Sequence, residues 1–492
     1  MRTAWNAALW LLVAAVFVCV LFADFLSLPF GGYASQRFIL VGLLGLVVVF
    51  SLTVLVYRYG WPLVRYVWPV ALIAGGFILL ALPFGEASYN WAEPGMYGAF
   101  FLGFVLSGCL PRSDEQRRYS VVVLVGVAAV TAAFYGGATI TVYMFALSDQ
   151  VANMSNFIPW GFVNIRYWSH TATWLLPLLP LAVLIGPLKD ERLWRFFVAL
   201  GAALWWWVEF LSTSRGSMLG IAFGVILAAV LIGRPALPWL RVFLRYLAYG
   251  VLAWLLLSVI IPSIFLDEVS MRSLKSDSSG RMPLFLEAWR MSLENFPFGL
   301  GPQSWLTHEV LTEEYQQSRK FGHPHNMYLM WAAEYGWLLI GALMLFVGQA
   351  VRLFWQRRAE VRVAGGGELA LSLAAFTASV SAALLHAGVS AVFMAPGSML
   401  IGFLVLSVFW ALITPDLLPA TQKRRTGKRF VAAAIVALVM GISCFYWLSE
   451  VSAYHESMED DLEFYYEEVP AGTLPRFWFH GNFPRHPSQM PL

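Results

Sequence analysis

The sequence is poor in charge. Asp, Glu, Lys and Arg make up 12% of its 492 residues, against roughly 25% in a soluble domain. Hydrophobic residues make up 59% and aromatics 16%. That balance excludes an ordinary soluble protein and implies a chain built into a bilayer. Cysteine is sparse as well. Cys19, Cys109 and Cys444 all lie inside apolar runs, without metal-ligand spacing or a disulfide framework, and read as small buried hydrophobes. The net charge is only +3 and no long basic tail is present, so nucleic acid is not an expected partner. The chain also has no serine triad, no convincing pair of glycosidase carboxylates and no glycine-rich phosphate loop. Asp460 and Asp461, in "MEDDLEFYYEE", read as a solvated face of the tail.

What is present is a succession of apolar runs. A membrane helix needs about 20 mostly apolar residues. Runs that qualify lie near 5–23, 37–56, 66–82, 97–110, 120–147, 168–186, 194–212, 217–233, 243–265, 326–352, 369–391, 398–413 and 430–448. The first has no small-x-small cleavage site behind it and reads as a retained helix. The expected fold is therefore all-α, a polytopic bundle of about 12–13 transmembrane helices. Helices one to nine occupy 1–265, a polar loop 266–325, helices ten to thirteen 326–448, and a short tail 449–492.

Basic residues orient the bundle. With the N-terminus in the cytoplasm, 21 of the 32 Lys and Arg fall in cytoplasmic segments. The alternation holds at every loop. It places 266–325 and the tail on the outer side, which in a bacterium is the periplasm. No nucleotide sugar is available there, so a donor must arrive already activated.

Several outer-face residues carry chemistry. Arg215, in "STSRGSMLG", sits in a tight turn between two apolar helices. A charge at that depth is a functional candidate; the alternative is a snorkelling anchor. Ser214 and its small neighbours suit an anion. Arg281, in "SDSSGRMPLFLEAWR", opens a segment with Leu284, Phe285, Ala288, Trp289, Ser292, Leu293 and Phe296 at helical spacing. That pattern predicts an amphipathic helix in the outer interface. Its N-terminus favours a phosphate near Arg281, and Arg290 is the runner-up on the same helix. Asn164, Arg166 and His170 lie at the outer mouth of the sixth helix and Arg37 at that of the second. His308 and His386 are further outer-face histidines.

"FGHPHNMYLMWAAEYGW" closes the outer loop. His323 and His325 flank a proline at a spacing unfamiliar for zinc. A neutral histidine suits proton removal from a hydroxyl, with Asn326 available to orient the ring or a sugar. Guanidiniums bind phosphate oxygens bidentately and stabilise a departing diphosphate without a metal. Arginines plus a histidine on one face thus fit glycan transfer from a polyprenyl-diphosphate carrier.

These stretches also resemble a known family. "SRGSMLG", "SGR" before an interfacial helix, "FPFGLGPQSW" and "HPHNMYLMWAAEYGWLLIGALM" are similar to the O-antigen ligase and polymerase superfamily of polytopic membrane glycosyltransferases, over about 160–350. The resemblance implies a helical bundle with a large periplasmic loop capping the site. It implies that Arg215 and Arg281 contact the donor diphosphate, with Arg166, Arg290 and Arg37 as further candidates. It implies that His325 is the catalytic base, with His323 as the alternative. Glu334 and Gly336 match the family's E-x-G, and Glu334, Asn326 and Ser214 are expected to support the site. No cofactor or metal is implied. The expected partners are an undecaprenyl-diphosphate-linked glycan donor, membrane lipids, and lipid A–core, a glycan or a protein as acceptor. The expected location is the bacterial inner membrane with the site facing the periplasm.

Ligation to lipid A–core is the leading expectation; repeat-unit polymerisation and protein O-glycosylation are alternatives. A transporter of lipid-linked glycans is the rival outside enzymes. A transporter tends to place charge at the bundle midplane and to show internal repeats. Here the unusual charges gather at one face and no repeat is visible.

Overall fold

The computed structural model describes residues 2–26, 31–60, 63–84, 90–111, 113–151, 154, 157–162, 165–266, 280–318, 321–363, 365–414, 426–468 and 476–477. Among these no strand occurs. The helices are α1 (Arg2–Leu21), α2 (Gly31–Tyr59), α3 (Val64–Ala81), α4 (Ala92–Gly108), α5 (Asp114–Ser148), α6 (Ile165–Leu175), α7 (Arg192–Ser212) and α8 (Arg215–Ile232). They continue with α9 (Leu237–Trp254), α10 (Ile261–Phe265), α11 (Arg281–Glu294), α12 (Glu313–Gln316), α13 (Met327–Val363), α14 (Glu368–Ala387), α15 (Pro396–Ile413) and α16 (Thr426–Glu468).

Ten helical segments among the described residues are long and apolar enough to cross a membrane. The chain is a multi-pass, all-α membrane protein. The ten coincide with ten of the thirteen predicted runs. The other three take different forms. The first is α1, whose apolar part is Ala8–Leu21. The fourth is the 17-residue α4. The sixth, predicted as one helix over 168–186, is broken: α6 ends at Leu175 and a 3-10 turn follows at Leu179–Val183. Pro177 and Pro180 cause the break, because each lacks an N–H and crowds the preceding turn.

Small residues decide the tightest packing. Gly216, Gly220 and Gly224 recur every fourth residue along α8 and form one strip against α14. A Cβ at Gly220 would stand 2.6 Å from the Ala382 carbonyl oxygen. Backbone thus meets backbone, as in small-xxx-small helix pairs in lipid. The strip starts one residue after Arg215, so that arginine stands at the tip of a firmly seated helix.

α13 is not the single straight helix that its apolar run predicts. Gly336 has φ 80° and ψ 174° and divides it. At that break the loop segment 297–301 docks on the backbone: Leu300 N–H donates to Ala333 O and Gly301 N–H to Glu334 O, both at 2.9 Å. A Cβ on Gly336 would meet Pro297, Phe298 and Gly299, the last at 2.7 Å from its nitrogen. Only glycine accepts both the positive φ and this approach.

The loop between α10 and α13 has its own small core of Leu284, Ala288, Met291, Trp305, Leu306 and Tyr315, closed by Ala333. The predicted amphipathic helix is α11, and it has two apolar faces rather than one. Leu284, Ala288 and Ser292 turn inward, while Met282, Leu286, Trp289, Leu293 and Phe296 form an exposed stripe. The stripe recurs every three or four residues and is the face suited to an interface.

Candidate functional site

The outer-face residues converge from helix ends far apart in sequence. Arg166 opens α6, Arg215 opens α8 and Arg281 opens α11. Arg166 and Arg215 are exposed and Arg281 is half-buried. Burial, followed by the like charges of Arg166 and Arg215, holds the Arg281 guanidinium below its ordinary pKa. Three cations from three elements therefore repel one another across a shared space. Such a cluster is stabilised by an anion.

The two histidines face the same space. His325 is buried, and its backbone lies in the left-handed region at φ 58°. Its N–H donates to His323 Nδ1 at 3.1 Å, and the rings lie 4.3 Å apart. Because Nδ1 of His323 accepts, the proton of neutral His323 sits on Nε2. His323 then presents a donor, and His325 is the ring left with a nitrogen available to take a proton. Burial, then Arg476, Arg281 and Arg166, pushes His323 down to about 3. Burial, then His323, Arg281 and Arg166, holds His325 lower still. Both rings are neutral at pH 7, the form that general-base work requires.

Behind the arginines runs a buried polar seam. His170 Nε2 lies 2.8 Å from Ser390 Oγ, and His386 Nδ1 lies 2.9 Å from Thr173 Oγ1. Thr173 also meets Ser217 at 2.7 Å. Ser214 Oγ accepts from Ser169 Oγ at 3.0 Å, tying the α7–α8 turn to α6. Thr213, in that turn, has φ 48°.

The remaining candidates have other surroundings. Asn326 caps α13: its Oδ1 accepts from the N–H groups of Tyr328 and Leu329, each at 3.0 Å. Arg290 is exposed on α11. It stands nine residues from Arg281, about 180° round the helix at about 100° per residue, so the two do not share a site. Arg37 is completely buried. It donates to Phe477 O and Met394 O at 2.8 Å, to Arg476 O at 3.3 Å and to Tyr33 Oη at 3.2 Å. Its guanidinium is occupied with the C-terminal tail. Asn164 lies outside the described residues. His308 holds the loop instead of the site, with Nε2 2.8 Å from Glu287. Burial alone would raise the Glu287 carboxyl, but hydrogen bonds from His308, Leu311 N–H and Thr312 outweigh it and lower it.

Sequence reasoning missed the residues that hold Glu334. Arg476 donates to Glu334 through Nη1 at 2.5 Å and Nη2 at 2.7 Å. It also donates to Glu93 through Nε at 2.8 Å and Nη2 at 2.7 Å. Glu334 Oε1 accepts in addition from Trp305 N–H at 3.2 Å. Glu93 was legible in principle as an acidic residue inside an apolar run. Arg476 had no signal beyond being a lone arginine in a proline- and aromatic-rich tail.

The fold and site define a polytopic helical membrane protein with a cationic, histidine-bearing site at one end of its bundle. Residues 199–346 match the family model described as O-antigen ligase, a glycosyltransferase-like family, and this supports the O-antigen ligase/polymerase superfamily read from the motifs. The matched segment holds Arg215, Arg281, His323, His325, Glu334 and Gly336. No curated protein matches the chain.

Proposed function

We propose that the protein is a periplasm-facing glycosyltransferase of the bacterial inner membrane. It moves a glycan from undecaprenyl diphosphate to an acceptor hydroxyl, with lipid A–core as the acceptor. One observation carries this reading: Arg166, Arg215 and Arg281 meet, from three separate elements, beside neutral His323 and His325. In this mechanism the arginines hold the diphosphate. Nε2 of His325 removes the acceptor hydroxyl proton. The freed oxygen attacks the anomeric carbon, the carbon–oxygen bond to the diphosphate breaks, and its electron pair leaves with the carrier lipid. A single direct displacement inverts the anomeric centre. Negative charge builds on the leaving diphosphate where the guanidiniums already stand. The donor's charge also offsets the arginines that depress His325, so donor binding strengthens the base.

The test is a gel profile of surface lipopolysaccharide and of the lipid-linked glycan pool in a strain lacking the gene. Bare core with long glycans stranded on the carrier is the expected result. Core capped by a single repeat would replace ligation with polymerisation. An unchanged profile would overturn both and turn the search to glycoproteins.

A further inference from the structure

Beyond α16, the described residues of the tail are Arg476 and Phe477, and their contacts with the bundle lead to the histidines. Arg476 and Phe477 are buried although they lie far beyond the last apolar run. Arg476 uses a two-pronged contact on each of two carboxylates, Glu93 from α4 and Glu334 from α13. Arg37 of α2 grips the tail backbone from the other side and lies with its guanidinium carbon 4.9 Å from the centre of the Phe477 ring. Two buried acids and two buried guanidiniums balance in charge, as burial requires.

The contacts continue toward the catalytic loop. Glu334 accepts from Trp305 N–H, and Trp305 Nε1 donates to Phe321 O at 2.8 Å. The Phe321 ring packs edge-on against His325, with centroids 5.1 Å apart. Each step is a direct contact with defined geometry. Glu334 therefore connects the tail to the loop that presents the base.

We propose that Arg476 is a positioning residue for the transfer reaction: by fixing Glu334, it sets the placement of Trp305 and of the segment Phe321–His325. The proposal rests on the reading of His325 as the base. The Arg476 guanidinium is buried and committed to Glu93 and Glu334, so its loss is expected to lower kcat and leave the donor KM nearly unchanged.

The experiment compares full-length wild type, Arg476→Lys and Arg476→Met. It reads transfer kinetics with a lipid-diphosphate-linked glycan, and hydrogen exchange at the Trp305 amide, which needs no activity. The expected result for Arg476→Met is a kcat lower by about 100-fold, the scale of a misplacement of about 1 Å, with KM within about threefold. Trp305 exchange rises about tenfold or more, while α8 and α14 keep their protection. Arg476→Lys, which keeps charge and one prong, recovers part of both. If Arg476→Met does not accumulate in the membrane, Glu93→Gln with Arg476→Met relieves one stranded carboxylate and carries the same readouts. Transfer within about threefold of wild type overturns the proposal. So does lost transfer with unchanged Trp305 exchange, or loss of protection across the whole bundle. If wild type itself transfers no glycan, the catalytic reading fails, whereas Trp305 exchange still decides whether Arg476 sets the loop.

Discussion

At the end of the bundle formed by the basic loops, Arg118 reaches Glu368, and the two side chains are 58% and 33% exposed. At the other end Arg476 holds Glu93 and Glu334, and all three side chains are 1% exposed or less. Both ends carry arginine–carboxylate pairs, but they are energetically different objects. An exposed pair contributes about 0–1 kcal/mol, because water solvates the ions equally well apart. Removing one member of a buried pair costs about 3–5 kcal/mol, because a charge is left behind in a dry place. In the proposed reading, the first end faces the cytoplasm and the second fixes geometry around the transfer site.

The comparison breaks most visibly at the histidines. His325→Ala is predicted to reduce transfer by about 10²–10⁴-fold, the usual contribution of a general base. His323→Ala removes a hydrogen bond and is predicted to cost about tenfold. Single-turnover assays would check the ranking, and a larger loss in His323→Ala would reverse the tautomer assignment. Next in size is stability. Glu93→Ala should destabilise the protein by about 3–5 kcal/mol and Glu368→Ala by no more than about 1 kcal/mol. Thermal unfolding in detergent compares them directly, and equal effects would erase the distinction between the two ends. The smallest effect concerns pH. Burial and neighbouring cations hold His323 at about 3 and His325 lower, so the base stays neutral as pH falls through the ordinary histidine range near 6.5. The predicted kcat/KM, which reports the free enzyme, changes by no more than about twofold between about pH 5 and 7.5. An acidic limb centred near 6.5 would contradict the burial of the pair.

Much of this was legible in the sequence, for identifiable reasons. Apolar run length announces membrane helices because the bilayer leaves few other options. The alternating Lys and Arg grouped the helix ends correctly: Arg58 contacts Leu110 O, and Arg429 contacts Arg58 O, all within the segments predicted to share one side. Arg166, Arg215, Arg281 and both histidines, each singled out from its motif, lie near one another, and their roles belong to the proposal. Illegible were contacts that depend on where a distant segment ends up. Arg37 reads as an outer-mouth cation, but a tail 440 positions away occupies it. Asn326 reads as a polar neighbour of the base, yet its oxygen is used by the turn that starts α13. The break at Gly336 hides inside an apolar run, because hydropathy does not register a φ angle. The predicted cytoplasmic and periplasmic assignment of the two ends belongs to the proposal above, together with the acceptor.

In the proposed reading, where the donor rides on a carrier lipid, the glycine strip on α8 has a consequence for how that substrate is met. With backbone against backbone at Gly220 and Gly224 and the His386 ring against Gly216, rotating α8 about its axis would drive Met218 or Leu219 into the α14 main chain. Arg215 therefore keeps one compass bearing in the plane of the membrane. A carrier lipid already confined to that plane searches in two dimensions, and a receptor that does not swivel turns the search into an approach along one heading.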